Sequence, residues 1–142
     1  MPYITMIMLL VVAAIHLLPL VGACGKKNLF GLYGVFIVDP NVLILLRHRA
    51  VLFGLLGGLL VVAALIPPLR LTGLLAGAIS VGSFLLIAWQ EGCCNNHLRK
   101  VFVMDIVAAV CLACGLAAHL AARGDRTASV PPVDLRPLVV EE

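Results

Sequence analysis

The fold class is decided by residues 39–68, DPNVLILLRHRAVLFGLLGGLLVVAALIPP. A helix needs about 20 apolar residues to cross about 30 Å of hydrocarbon, and this run exceeds that length. Arg47, His48 and Arg49 interrupt it about two turns from its start. The segment therefore predicts a transmembrane helix that carries basic side chains within its length.

The ends of this helix are marked by its flanking residues. Asp39, Pro40 and Asn41 form a start signal, because a carboxylate caps free N–H groups and proline is tolerated in the first turn. The two prolines that follow Ile66 end the helix, since proline lacks an N–H group and clashes with the preceding turn. The sequence thus predicts a helix over about 40–66 and a tight antiparallel turn after it.

Three further apolar runs lie at about 3–24, 71–89 and 100–122. Apolar residues make up 63% of the chain and charged residues 12%, whereas soluble domains have roughly 45–50% and 25%. Backbone polar groups in lipid must pair within their own segment, so these runs predict helices. The expected fold is all-α, an integral membrane four-helix bundle that occupies residues 1–123.

Two segments lie outside the predicted helices. Gly25 to Val38 contains an apolar run too short to cross the bilayer and is expected to lie at its interface, with Tyr33 at the level of the head groups. Residues 124–142 mix prolines with charges, a composition that cannot bury a core. We expect them to form a polar tail that is mobile or bound to a partner.

Composition and motifs argue against several classes of function. The formal net charge of +3 is spread between apolar runs and forms no dense basic block, so we expect no nucleic-acid binding. The phosphate-binding, nucleophile-elbow and zinc-protease motifs of soluble enzymes are absent from the sequence. The sequence therefore favours a protein that is not an enzyme.

Residues 21–24, Val-Gly-Ala-Cys, resemble the lipobox of bacterial lipoproteins, and cleavage there would remove the first helix. A secretory signal has Lys or Arg before its apolar core. No positive side chain precedes Cys24, and two lysines follow it closely. We therefore expect the first helix to be retained.

The distribution of Lys and Arg predicts the orientation in the membrane. The side with the first and third loops holds six of them, two of which lie within the second helix, and the opposite side holds three. The six are Lys26, Lys27, Arg47, Arg49, Arg99 and Lys100, and the three are Arg70, Arg123 and Arg126. Because basic loops stay in the cytoplasm, both termini are expected in the periplasm, outside a bacterial inner membrane.

Ionisable residues within the apolar runs are concentrated at one end of the predicted bundle. At 1.5 Å per residue, Arg47 and Arg49 lie roughly 10–14 Å along the second helix, and Asp105 lies at a similar depth in the fourth. Such residues in lipid normally face the bundle interior or pair with each other. The candidate site residues are His16, Arg47, His48, Arg49, Glu91 and Asp105.

Two interpretations of this cluster remain open. In the first, Asp105 pairs with Arg47 or Arg49 and fastens the second helix to the fourth. His16 is then a core histidine bonded to a backbone carbonyl that Pro19 leaves free. Because residues two apart point to nearly opposite faces, only one arginine can face the carboxylate. In the second interpretation, the excess positive charge binds an anionic lipid head group or the oxygens of a quinone.

Three of the five cysteines lie at the same membrane face as a histidine. Thiolates and imidazole are ligands for zinc or a soft metal, so Cys24, Cys93, Cys94 and His97 are candidate metal ligands. Adjacent cysteines cannot both close a metal loop comfortably, and no second pair has ligand spacing. We therefore expect no metal there.

Small residues within the apolar runs are expected to serve packing. Cys111 and Cys114 lie in mid-helix, and at about 100° per residue both turn away from Asp105, so we expect small core residues. Glycines four residues apart let helix backbones approach closely. These pairs are Gly54 with Gly58 and Gly73 with Gly77.

The run Leu32 to Phe53, LYGVFIVDPNVLILLRHRAVLF, together with the hairpin after it, resembles a group of small bacterial four-helix membrane proteins. These are distantly similar to the DoxX-like proteins. Members often carry the name phosphopantetheine adenylyltransferase, which implies a soluble nucleotide-binding fold with an H-x-G-H type motif. The histidines of this chain form no such motif. The resemblance thus implies the four-helix fold and the importance of residues 39–49, and no activity.

The sequence favours a small inner-membrane protein, an accessory or ligand-binding component of a membrane assembly. Its expected partners are membrane lipid, a quinone and other membrane subunits, and no particular cofactor is indicated. The alternative is a membrane thiol-redox or metal-binding protein that uses Cys24, Cys93, Cys94 and His97.

The charge distribution makes the topology testable. A reporter that works only in the periplasm, fused after Glu142, should be active, because the basic loops hold the opposite side in the cytoplasm. The matched control is a reporter that works only in the cytoplasm, and it should be inactive at the same position. Activity of the cytoplasmic reporter alone would reverse the predicted orientation.

Overall fold

The computed structural model describes residues 2–92 and 95–128, with the backbone alone for residues 2 and 125–128. Within these ranges the chain forms five α-helices and two 3-10 turns, and no strand. The helices are α1 (Pro2–Leu17), α2 (Lys26–Tyr33), α3 (Pro40–Leu65), α4 (Arg70–Glu91) and α5 (Asn96–Ala128), and the 3-10 turns are Leu18–Cys24 and Pro67–Leu69. The described part of the chain is therefore all-helical, as predicted.

Four segments are long and apolar enough to cross a membrane. The first joins α1 to the 3-10 turn after it, the second is α3, the third joins the second 3-10 turn to α4, and the fourth lies in α5. These segments are Tyr3–Cys24, Pro40–Leu65, Pro67–Glu91 and Asn96–Gly124. Their length and composition are consistent with a multi-pass membrane protein.

The start of α3 agrees with its sequence signal. The Asp39 carboxylate accepts a hydrogen bond from the Asn41 backbone N–H at 2.7 Å, and Pro40 occupies the first helical position. A capping carboxylate satisfies one of the N–H groups that a helix leaves unpaired at its start. The predicted role of these residues as a helix start is confirmed.

Helix α5 is longer at both ends than the predicted range of 100–122. The Asn95 side-chain oxygen accepts a hydrogen bond from the Leu98 N–H at 2.7 Å, so a cap begins the helix four residues early. At the other end the helix continues to Ala128, since no proline occurs before position 131. The helix thus extends into the predicted polar tail of residues 124–142, and residues 129–142 lie outside the described residues.

The four long helices form a ring. α1 packs against α3 and α5, and α4 closes the ring by packing against both of them. The Thr5 hydroxyl donates to the Gly115 carbonyl oxygen at 3.3 Å and joins α1 to α5. Large apolar side chains such as Leu55 and Ile79 are exposed on the outside, as expected of helices that face lipid. The core contains Leu9, Val12, Ala13, Leu60, Ala63, Ala64, Leu74, Val81, Ala108 and Leu112.

One predicted glycine pair lies at close helix contacts. A Cβ atom on Gly73 would lie 2.5 Å from the Ala63 Cβ, and a Cβ atom on Gly77 would lie 3.0 Å from a methyl group of Leu112. These glycines let α4 approach α3 and α5. Their predicted packing role is confirmed.

For the other pair, Gly54 with Gly58, the predicted packing role is correct for Gly54 only. A Cβ atom on Gly54 would lie 2.6 Å from a methyl group of Leu20, whereas Gly58 faces open space. The residue that packs beside Gly54 is Gly57, whose added Cβ would lie 2.8 Å from Leu17. The four-residue spacing missed it because the face of α3 toward α1 follows a three-residue step here.

Helix α2 folds against one end of the bundle. It ends at Gly34, which has a left-handed backbone with φ of 64°, and a Cβ atom there would lie 2.7 Å from the His97 ring. Tyr33 is 9% exposed, so its side chain faces the bundle, and its expected depth at the level of the head groups stays a prediction. The location of α2 at the membrane interface stays a prediction.

The close contact at Gly73 predicts a difference between two glycines of the same helix. Gly73→Ala should lower the melting temperature in detergent, because overpacking costs about 1–3 kcal/mol. The control is Gly82→Ala, whose added methyl group meets no atom within 4 Å and which gains about 1 kcal/mol of helix propensity. Equal melting temperatures for the two variants would contradict the packing of α4 against α3.

Candidate functional site

The structure divides the predicted basic cluster between two faces of α3. Arg47 and His48 are exposed, and Arg47 Nε donates to the Ala23 carbonyl oxygen at 2.9 Å. Arg49 is half-buried and points to the inside of the bundle. The reason is the advance of about 100° per residue, which puts residues two apart on nearly opposite faces. Only Arg49 therefore belongs to the interior.

Three aromatic rings surround the Arg49 guanidinium. Its central carbon lies 5.2 Å from the ring centroid of Phe53, 5.5 Å from that of Phe84 and 5.9 Å from that of Tyr33. Each ring face attracts a cation, and the attraction is stronger where water is excluded. Ring faces accept no conventional hydrogen bonds. The three rings therefore position the guanidinium while its N–H groups stay available to a ligand.

A cavity of about 300 Å³ lies beside Arg49 and is bounded by α2, α3, α5 and the end of the first span. We call it the inner cavity. It brings together three of the predicted site residues and three more polar residues. Its polar lining consists of His16, Tyr33, Arg49, His97, Lys100 and Asp105.

Asp105 contributes a buried carboxyl group to the inner cavity. Its side chain is 7% exposed, and no hydrogen bond or ion pair joins it to either arginine within the described residues. Arg49 acts on it electrostatically across the cavity. The direct ion pair expected with Arg47 or Arg49 is therefore not formed, because Arg47 faces outward and the rings hold the Arg49 guanidinium.

His16 is a buried histidine, as predicted, with 2% of its side chain exposed. Its Nδ1 lies 2.9 Å from the carbonyl oxygen of Val12. The partner is the residue one turn earlier and not Ile15, whose carbonyl is the one that Pro19 leaves free. A carbonyl oxygen only accepts, so Nδ1 carries the hydrogen and Nε2 of the neutral ring is an acceptor.

Asn95 ties the two elements that close the inner cavity at its end. Besides capping α5, its side-chain NH2 group donates to the Tyr33 carbonyl oxygen at 2.8 Å. Burial raises the pKa of the Tyr33 phenol, Arg49 opposes this rise and the Asp105 carboxyl adds to it. The phenol is therefore neutral at physiological pH and can donate a hydrogen bond.

His97 also joins α5 to α2. Its Nδ1 lies 3.2 Å from the Gly31 carbonyl oxygen, so this nitrogen is the donor of a hydrogen bond. His97 and Lys100 are both exposed while they line the inner cavity. They therefore stand at its mouth, where a ligand would enter past a positive charge.

A second cavity, of about 560 Å³, lies between α3 and α4. It shares Arg49 and Phe53 with the inner cavity, and most of its other lining residues are apolar. Glu91 lines this second cavity and does not line the inner one. The predicted cluster thus has its two acidic residues in different cavities, with Arg49 bordering both.

The proposed metal ligands are not brought together in the part of the chain that the structure describes. No group of three or more His, Cys, Asp or Glu side chains there could hold a metal ion. Cys24 is exposed, and His97 is bonded to a backbone carbonyl. Cys93 and Cys94 lie outside the described residues, so the full set stays a prediction.

The two cysteines of α5 are unpaired thiols. Neither lines the inner cavity, so their predicted direction away from Asp105 agrees with the structure. Cys111 is half-buried, whereas Cys114 is exposed on the outside of the bundle. The expectation of a core residue is wrong for Cys114, because the outward faces of membrane helices are apolar and admit a thiol as readily as a core does.

Sequence reasoning missed Tyr33 and Lys100, and it considered His97 only as a metal ligand. Tyr33 enters the site because α2 folds back, a tertiary contact with no local signal. Asn95 did carry a local signal for the start of α5, since asparagine is a common helix cap. With α5 started there, Lys100 falls in its second turn.

Protein-family models, curated proteins and solved structures contain no match to this chain.

The separation of Asp105 from the arginines predicts the energetics of their removal. Asp105→Leu should leave the stability of the ligand-free protein unchanged or raised, since burial of an unpartnered carboxyl costs free energy. Arg49→Met should lower it by about 1–2 kcal/mol through loss of the ring contacts. Thermal unfolding in detergent measures both changes.

The double variant distinguishes this arrangement from a direct pair. The change in the free energy of unfolding for Arg49→Met combined with Asp105→Leu should equal the sum of the two single changes within about 1 kcal/mol. A buried pair would show a loss of about 3–5 kcal/mol for Asp105→Leu that Arg49→Met largely restores. Arg47→Met combined with Asp105→Leu is the control, and it should be additive because Arg47 faces outward.

Proposed function

We propose that this chain is a small bacterial inner-membrane protein that binds the head group of a membrane quinone in the inner cavity. In this role it serves as an accessory component of a membrane assembly. The observation that carries the proposal is the joint presence of acceptors and donors in one cavity. Asp105 and His16 are acceptors, and Arg49 and Tyr33 are donors.

A quinone and its reduced form need these two kinds of partner. The two carbonyl oxygens of a quinone accept hydrogen bonds, and the two hydroxyl groups of a quinol donate them. Arg49 and Tyr33 suit the carbonyl oxygens, whereas the Asp105 carboxylate and His16 Nε2 suit the hydroxyl groups. A cavity that holds both sets can bind either form.

The unpartnered carboxylate favours a neutral head group over an anionic one. A phosphate in the inner cavity would meet Asp105, which is 7% exposed and has no partner of its own within the described residues. Repulsion between like charges is strong where water is excluded. Arg49 and Lys100 in the same cavity would attract a phosphate, but only a quinone and its quinol use the donors and the acceptors together. Of the two predicted ligands we therefore propose the quinone.

The size and surroundings of the cavity suit a ring with a hydrocarbon tail. Ligand cavities usually measure about 300–1,000 Å³, and the inner cavity lies at the lower limit with about 300 Å³. It has room for one ring beside Phe53. The larger, mostly apolar cavity shares Phe53 and Arg49 with it and offers space for the tail.

The distribution of charge supports the orientation within the proposal. The Arg47 side chain is bonded to the Ala23 carbonyl oxygen, and the His97 side chain is bonded to the Gly31 carbonyl oxygen. The basic first and third loops therefore lie at one end of the bundle. The inner cavity opens at this end, and we place it on the cytoplasmic side. The resemblance to small bacterial four-helix proteins stays a prediction and supports the fold alone.

Titration of a short-chain quinone and its quinol tests the proposal. The purified protein in nanodiscs should bind both forms in isothermal titration calorimetry. Tyr33→Phe, which keeps the ring, should weaken quinone binding roughly tenfold, since it removes one donor. Asp105→Leu should weaken quinol binding more than quinone binding, because the carboxylate is an acceptor.

Thr5→Val is the matched control for these variants. Thr5 is a buried polar residue whose hydroxyl joins α1 to α5 away from the cavity. Its loss should change neither affinity more than about twofold. The proposal is wrong if the wild-type protein binds neither form, or if Thr5→Val weakens binding as much as Tyr33→Phe.

A further inference from the structure

The exposed face of α3 carries a second group of basic residues. Ile44, Arg47, His48 and Val51 follow the spacing i, i+3, i+4, i+7, so they form one continuous stripe on the helix. Together with Ala23 they line a cleft of about 290 Å³, which we call the outer cleft. None of these residues lines the inner cavity, so the outer cleft is independent of the quinone proposal.

Arg47 is held in place by the end of the first span. Its Nε donates to the Ala23 carbonyl oxygen at 2.9 Å, and the two terminal NH2 groups of the guanidinium have no hydrogen-bond partner within the described residues. A planar fork that is already oriented loses less side-chain freedom when it binds a phosphate. His48, one residue later, adds a further donor to the same cleft.

Arg47 also lies where the hydrocarbon region should end. The first span finishes at Cys24, one residue after the Ala23 carbonyl that Arg47 contacts. From Arg47 to the end of α3 at Leu65 the helix measures about 27 Å at 1.5 Å per residue, close to the roughly 30 Å of hydrocarbon in a bilayer. On this measure we place the outer cleft at the depth of lipid phosphates, with residues 40–46 of α3 beyond the hydrocarbon region.

The surroundings of the cleft distinguish among lipids. Lys26 and Lys27 are exposed and follow Ala23 by three and four residues, so they add positive charge to the segment that Arg47 contacts. A basic pocket of this kind favours a lipid with net negative charge over a zwitterionic one. Below the cleft, Val51 and Leu55 continue as an exposed apolar surface suited to an acyl chain.

We propose that the outer cleft binds one anionic phospholipid, whose phosphate contacts Arg47 and His48. Arg47 forms two parallel hydrogen bonds to phosphate oxygens through its terminal NH2 groups. One acyl chain lies along Val51 and Leu55. The bound lipid fills the outward face of the helix whose opposite face carries Arg49.

Competition between lipids tests this assignment. The full chain is placed in nanodiscs of phosphatidylcholine with phosphatidylglycerol as a minor component, released, and weighed by native mass spectrometry. The wild-type protein should retain one phosphatidylglycerol. Arg47→Gln should lower the retained fraction roughly tenfold or more, since a charge-assisted contact is lost.

Arg99→Gln is the matched control. Arg99 is an exposed arginine in the first turn of α5 at the same end of the bundle and does not line the cleft. Its removal subtracts the same charge and should change retention less than about threefold. Equal losses in the two variants would mean diffuse attraction to the surface and would overturn the site.

Two further measurements cover the remaining outcomes. If Arg47→Gln fails to fold, Val51→Trp fills the cleft without touching the bond to Ala23, and it should also abolish retention of phosphatidylglycerol. Inorganic phosphate added in excess should not displace the lipid, because it lacks an acyl chain. Retention that survives Val51→Trp, or displacement by phosphate, would refute a phospholipid site.

Discussion

The placement of a guanidinium among three aromatic rings is the interaction on which the interior of this protein depends. Arg49 could not remain within an apolar bundle without partners, and the rings of Tyr33, Phe53 and Phe84 supply them from three different helices. The Tyr33 ring belongs to α2, which α5 holds through the bonds of Asn95 to Tyr33 and of His97 to Gly31. The short helix α2, the cap of α5 and the charge in α3 are therefore parts of one arrangement.

Most of the fold could be predicted from the sequence because apolar run length and helix boundaries are local properties. The predicted second helix, 40–66, differs from α3 by one residue, since Asp39, Pro40 and the prolines after Ile66 act within a single turn. The ends of α5 were less accurate because no proline or glycine stops it on either side. A capping residue, Asn95, determines its start, and the polar residues after 123 do not stop the helix before Ala128.

The sequence could predict how far along its helix each site residue lies, but not the direction in which its side chain points. Counting residues along each helix brought His16, Arg49 and Asp105 to one level, and the structure does line one cavity with all three. Whether two of them touch depends on how each helix is rotated and on what else occupies the space. The rings around Arg49 and the fold of α2 decide that, and they involve contacts between residues far apart in the sequence, such as Tyr33 with Asn95.

The alternation of directions in Arg-His-Arg has a mechanical consequence for α3. Arg47 is bonded to the first span on the outside, and Arg49 is enclosed by rings on the inside. Any turn of the helix about its own axis would pull at least one of the two charges away from its partners. Rotation of α3 about its own axis is thereby opposed in both directions. Relative movement of α3 within the bundle is then confined to tilting, or to sliding together with the segments that hold these two side chains.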